Sequence, residues 1–80
     1  MMLQQDSRDL TVVVRQKLFF GTLPRDEPTK MWVGKGSGSL CDVCDQPITS
    51  TEIEYEPDFS DRRVFRFHLN CIEVWHQQCL

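Results

Sequence analysis

The chain has 80 residues, 40% of them apolar and 26% charged, with a formal net charge of −3. That length allows at most one small domain, whose core returns little beyond the cost of ordering the chain, so a metal or disulfide staple is to be looked for. The composition reads as globular rather than disordered, and the longest apolar stretch, TVVVRQKLFF, is broken by Arg15 and Lys17, so no membrane span or signal peptide is expected.

The expected setting is therefore the cytoplasm, where thiols stay reduced. Charge is uneven along the chain. Arg8 to Lys35 carries six basic and three acidic residues, Cys41 to Asp61 carries seven acidic residues and no basic one, and Arg62, Arg63 and Arg66 then reverse the sign. Such a distribution argues against a general nucleic-acid coat and leaves room for a local basic patch.

Residues 1–6 read as a flexible tail, and 7–80 as a single domain. Ser7 suits a helix N-cap and Asp9 its first turn. The segment 7–21 reads as an amphipathic helix, with a strand as the alternative because of the valine run, and Gly21 as its stop. At 100° per residue, Leu10, Val13, Val14, Leu18 and Phe20 share a broad face expected to pack on Ile53, Phe67 and Trp75. Lys17 falls within that face and must snorkel. Val12 and Phe19 lie nearly opposite. Either the following loop caps them through Leu23, Met31 or Trp32, or they stay exposed as an anchor for a protein partner or a second copy of the chain.

Residues 22–40 read as a Gly/Pro-rich linker, with Met31, Trp32 and Val33 as its anchors. Within it, GKGSG lacks the spacing of a phosphate-binding loop. Its glycines are better explained by positive φ and by close passage against the following segment, which leaves Lys35 a solvated tip. TEIEYE and RVFRFH both alternate, and the turn-rich PDFSD separates them, so they predict a β-hairpin. Pairing Tyr55 with Phe65 sets Glu54 across from Arg66. Glu52, Glu54 and Glu56 read as the wet face of that hairpin rather than a cation site. Leu69 to Cys79 reads as a short helix.

Cys41 and Cys44 form a C-x2-C pair, and 23 residues later His68 and Cys71 form H-x2-C. Three thiolates and an imidazole in this spacing are a tetrahedral zinc set. A knuckle, a hairpin, and a helix supplying the last two ligands follow one another in treble-clef order over residues 41–80. The second pair falls where a strand enters a helix, whose N-terminus favours thiolate. A redox couple would need a βαβ setting and would leave HLNC as coincidence. His76 and Cys79 repeat the H-x2-C spacing but lie deep in the helix at a fraying end, so they read as an exposed histidine and a free thiol. With four ligands filling the shell and no H-E-x-x-H arrangement, the expected zinc is structural and the chain is not an enzyme.

VRQKLFFGTLP, MWVGKGSGSLCDVCDQPI, EYE and FRFHLNCIEVW together resemble an uncharacterised family of small bacterial proteins with an amphipathic helix, a Trp–Gly-rich linker and one zinc finger. The finger half is also similar to one zinc unit of a LIM-type domain, with a longer spacer. The resemblance implies zinc on Cys41, Cys44, His68 and Cys71 and a bacterial cytoplasmic setting, and it implies no activity. One departure is Asp45, where many knuckles have glycine; aspartate tolerates left-handed geometry better than most residues. The expected fold is thus a small α+β, zinc-stapled, treble-clef-like domain with an N-terminal amphipathic helix. The expected role is a protein-interaction or regulatory module. The alternative is a nucleic-acid-binding finger, in which Arg62, Arg63 and Arg66 join Arg15 and Lys17; against it, IEVWHQQ offers no Lys or Arg to a groove.

Overall fold

The computed structural model describes residues 7–79, and side chains from Leu10 onward. The tail expected over 1–6, and the side chains of Ser7 and Asp9, lie outside the described residues. Four elements follow one another: α1 (Ser7–Phe19), β1 (Lys30–Lys35), β2 (Ile53–Asp58) and α2 (Leu69–Cys79). The result is an α+β arrangement in which a two-stranded antiparallel sheet and two helices enclose one apolar cluster. No described helix is long and apolar enough to cross a membrane.

Helix α1 ends two residues before the predicted limit. Gly21 takes φ +79°, its N–H donates to Leu18 O, and Thr22 N–H donates to Lys17 O. This is a Schellman stop, and it uses the glycine for the left-handed residue that closes the helix. Val14 and Leu18 are buried, with Leu10 and Val13 packed at the rim. Phe20, placed on the same face by helical stepping, is instead 74% exposed, because the helix has already ended. Leu23 folds into the core, yet Val12 and Phe19 remain exposed, with Phe19 at 77% and edge-on to Phe20. The loop therefore does not cap them.

The expected linker over 22–40 is not irregular throughout, because residues 30–35 form β1. It pairs antiparallel with β2, in register Lys30↔Asp58 to Lys35↔Ile53. The hairpin partner expected for β2, residues 63–68, is held on its other side only by bridges Tyr55↔Phe67 and Asp58↔Val64. That pairing is two residues from the expected Tyr55–Phe65. A two-residue shift preserves which face each side chain takes. Arg66 therefore still reaches Glu54, at 3.1 Å, while Glu56 lies 3.9 Å away.

A row of rings organises the core. Phe59 meets Phe65 edge-on at 5.8 Å, Phe65 stacks on Phe67 at 6.5 Å, and Phe67 stacks on Trp75 at 5.4 Å. The row joins the segment after β2 to α2, and offset or edge-on pairs of this kind add to simple area burial. Trp75 also donates its indole N–H to Pro24 O at 2.9 Å, which satisfies a buried donor and fixes the loop after α1. Phe67 and Trp75 thus fill the core as expected. Ile53 does not, and is half exposed.

Candidate metal centre

Cys41 and Cys44 sit at the tip of a tight loop. Its arms are joined by Gly38 N–H to Ile48 O and Ile48 N–H to Ser39 O at 2.8 Å, and by Cys41 N–H to Gln46 O at 2.9 Å. Asp45 closes the turn at φ +63° and donates its N–H to Cys41 O. The left-handed conformation anticipated for this aspartate is the one found, at a modest cost for a non-glycine residue. Val43 N–H points at Cys41 Sγ, 3.4 Å away. Gly36 runs against the back of this loop, where a Cβ would lie 2.5 Å from Ile48 O and closer still to Thr49 O. That position therefore requires glycine.

The other two residues come from the far end of the chain. His68 precedes α2, accepting the Ile72 N–H at 2.9 Å, and Cys71 lies in the first turn of α2. Arg66 N–H donates to Asp42 Oδ2 at 2.7 Å, and Asp42 N–H donates to Arg66 O at 2.8 Å. These paired bonds clip the loop to the segment that carries His68. On the opposite side, Lys17 of α1 donates to Asp42 O at 2.9 Å and pairs with Asp45 at 3.1 Å. Lys17 does reach past the apolar face, and its ammonium braces the loop rather than standing free in water.

As a result, Sγ of Cys41, Cys44 and Cys71 and a ring nitrogen of His68 all lie within 4.8 Å of one another. A tetrahedron of bonds near 2.3 Å has edges of about 3.8 Å, so the cluster is close to the size of a metal shell. All four cysteines are free thiols. Cys41 and Cys71 are buried, while Cys44 and His68 face a shallow cleft lined by Leu10, Ile53 and Leu69. His76 and Cys79 stand apart from the cluster. His76 is exposed, and the Cys79 thiol is half-buried, 3.7 Å from Pro24 O.

The histidine is oriented from behind. Its Nδ1 lies 3.4 Å from Cys44 Sγ, while Nε2 lies 3.2 Å from Pro47 O and 3.3 Å from Glu52 Oε1. An acceptor at Nε2 holds the proton there and leaves the Nδ1 lone pair for the cluster. Glu52 is itself fixed by Thr49 N–H at 2.8 Å. That N–H also lowers the pKa of the carboxylate, with a smaller contribution from His68. Reading Glu52 as the wet face of a strand missed this role. The TSTE spacing, Thr then Glu three residues on, is the signal that could have found the turn.

Electrostatics within the cluster favour one thiolate. Cys41 is lowered to about 4, first by the hydrogen bond from Cys71, with the backbone N–H groups of the loop assisting against burial. Cys71 is raised by donating that bond and by burial, and Cys44 is raised first by burial. Three sulfurs this close cannot all ionise unaided. A cation among them removes the conflict and deprotonates each ligand.

Glu54 is the other acidic residue with a specific place. It is 8% exposed and accepts Ser37 N–H at 2.9 Å and Ser37 Oγ–H at 2.8 Å, with Arg66 on its second oxygen. The loop 36–39 covers what was read as a solvated face. The chain matches no family model, no curated protein and no solved structure.

Proposed function

We propose that Cys41, Cys44, His68 and Cys71 bind one zinc ion in a closed structural site, and that the residues from 7 to 80 form a single small module built around it for contact with another protein. The convergence of these four donors carries the reading. Three thiolates with one imidazole form a soft, four-coordinate set suited to zinc, and a filled shell leaves no position for a reacting water. The ion's contribution would be to join the loop at Cys41 to the start of α2, and we assign no catalysis to it. The order of loop, strand segments and helix accords with a treble clef. The likeness to small bacterial single-finger proteins supports a bacterial, cytoplasmic setting.

Surface character supports a protein partner ahead of nucleic acid. Arg63 pairs with Asp26 and Asp61, Arg66 with Glu54, and Lys17 with Asp45, so three of the five cations that a basic patch would draw on are already engaged. Apolar side chains are exposed on α1 at Val12 and Phe19, just after it at Phe20, and on β1 at Met31, Trp32 and Val33. A second copy of the chain meeting Val12 and Phe19 is the first partner to test on α1.

Native mass spectrometry of the purified chain should show one zinc per polypeptide, and cobalt substitution should give the visible bands of tetrahedral thiolate coordination. Cys44→Ser should lose the stoichiometry, while Cys79→Ser should keep it. A chain that purifies folded and free of metal, and binds none on titration, would falsify the zinc reading.

A further inference from the structure

The open side of β1 is unused by the fold. Antiparallel pairing turns alternate residues toward the partner strand. Gly36 N–H bonds to Glu52 O, and on β2 it is Tyr55 that exchanges both bonds with Phe67 on the far side. With the register Val33↔Tyr55 and Gly34↔Glu54, Met31, Val33 and Lys35 therefore turn their N–H and C=O groups to the free edge. Among the described residues nothing pairs with that edge. All six residues of β1 are exposed, including Met31 at 39%, Trp32 at 55% and Val33 at 59%. Met31 shares its face with Tyr55, and beneath them lies a cleft of about 450 Å³ bounded also by Ile72 and Trp75, with Glu27, Glu73 and His76 lining it as well, so it suits the apolar centre of an occupant and not its charged ends. A strand laid along this edge would find backbone partners and, on one face, a recess for alternate side chains.

Charge identifies the occupant. Lys30 and Lys35 stand at the two ends of β1 and make no ion pair among the described residues, in contrast to Lys17, Arg63 and Arg66. Lys30 lies over the Trp32 ring at 5.1 Å. Because only Met31, Val33 and Lys35 turn their backbone groups outward, two copies of β1 could pair only with two of these residues opposed, such as Val33 against Val33 with each Met31 against the other copy's Lys35. Lysines on an edge are a common guard against such self-pairing. An extended segment with an apolar centre and a carboxylate at each end would meet the same two lysines favourably.

Resting on the reading of the chain as an interaction module, we infer that β1 binds an extended, acidic-ended peptide segment of another protein by adding it to the sheet as a third strand. The test uses the zinc-loaded full chain, nitrogen-15 labelled, whose metal content is measured on the same sample. The probe is a short peptide of alternating valine and threonine with aspartate at both ends; its controls are a lysine-ended peptide and a proline-interrupted one.

Saturable shifts and slowed amide exchange are expected at Met31, Val33 and Lys35. Affinity should be roughly tenfold weaker for the lysine-ended peptide, from two cross-strand pairs changing sign. Val33→Pro should remove binding, because it deletes an outward N–H at an edge position where proline is tolerated. The double variant Lys30→Glu with Lys35→Glu should reverse the preference between the two charged peptides. The proposal is overturned by no saturation up to about 1 mM, by shifts centred elsewhere, or by indifference to end charge. It is equally overturned by oligothymidylate displacing the peptide, or by β1 amides becoming protected on concentration alone, which would name a nucleic acid or a second copy instead. A folded sample found without zinc would defeat the structural-zinc reading while leaving this titration to be judged on its own.

Discussion

Gly36 lies where the chain passes against the back of the Cys41–Cys44 loop, and the space there is set by main-chain carbonyls that cannot rotate aside. Gly36→Ala should therefore cost about 1–3 kcal/mol, the range for overpacking a well-packed site. Gly34, two residues earlier on β1, has nothing within 4 Å of where a Cβ would stand and no positive φ. Gly34→Ala should be neutral or stabilising by a few tenths of a kcal/mol. Urea unfolding of the zinc-loaded variants measures both, and equal effects would mean that the close approach at Gly36 is not real. The sequence made the four cluster residues legible because their chemistry and spacing leave few other uses. It did not reveal the place of Glu52, nor that Glu54, expected opposite Arg66, would be buried. Alternation tells which face a side chain takes, but not that a distant loop returns to cover that face or that a carboxylate meets the back of a histidine.

At the scale of elements, α1 was readable from its 3.6-residue period and its glycine stop, and α2 from the apolar face of Leu69, Ile72 and Trp75. Strand β1 was not, because both its faces are exposed and the glycines in and just after it resemble a linker; a strand with no buried face carries no period to read. Residues 63–68 do lie beside β2 as expected, on the edge away from β1, but two residues out of the expected register. The sidedness of α1 can be tested by neighbours in sequence. Leu18 is buried against the core and Phe19 points away from it. Leu18→Ala should lose about 2–5 kcal/mol, whereas Phe19→Ser should stay within roughly 0.5 kcal/mol of the parent. If Val12 and Phe19 join two copies of the chain, light scattering over a wide concentration range should show a dimer that Phe19→Ser removes without changing zinc content. An unfolded Phe19→Ser would place that ring in the core and move the partner surface elsewhere.

Over the whole molecule, the staple expected from length alone has a definite location. The buried cluster is small, and Cys41 and Cys71 are two of its members, so the core and the proposed metal shell share residues. The row Phe59, Phe65, Phe67 and Trp75 ends on α2, whose first turn carries Cys71, and Trp75 ties that helix back to Pro24. Without the proposed ion, three crowded sulfurs and an imidazole would lie at this core with no charge to compensate their ionisation, and the loop would be tied to α2 there only by a hydrogen bond between Cys71 and Cys41. Structural zinc in small fingers contributes an apparent ~10–16 kcal/mol near neutral pH, comparable to the ~5–15 kcal/mol of a whole domain. Chelation should therefore collapse the dispersed amide spectrum and the near-ultraviolet dichroism of Trp75 in one transition, and restoring zinc should recover both. Cys71→Ser should behave like the chelated protein. Cys79→Ser should cost no more than about 1 kcal/mol, since that thiol makes only a long contact to Pro24 O. Should the aromatic signals survive chelation while only the loop signals broaden, the rings alone would hold the fold, and the metal would be a local clasp on the loop rather than the staple of the chain.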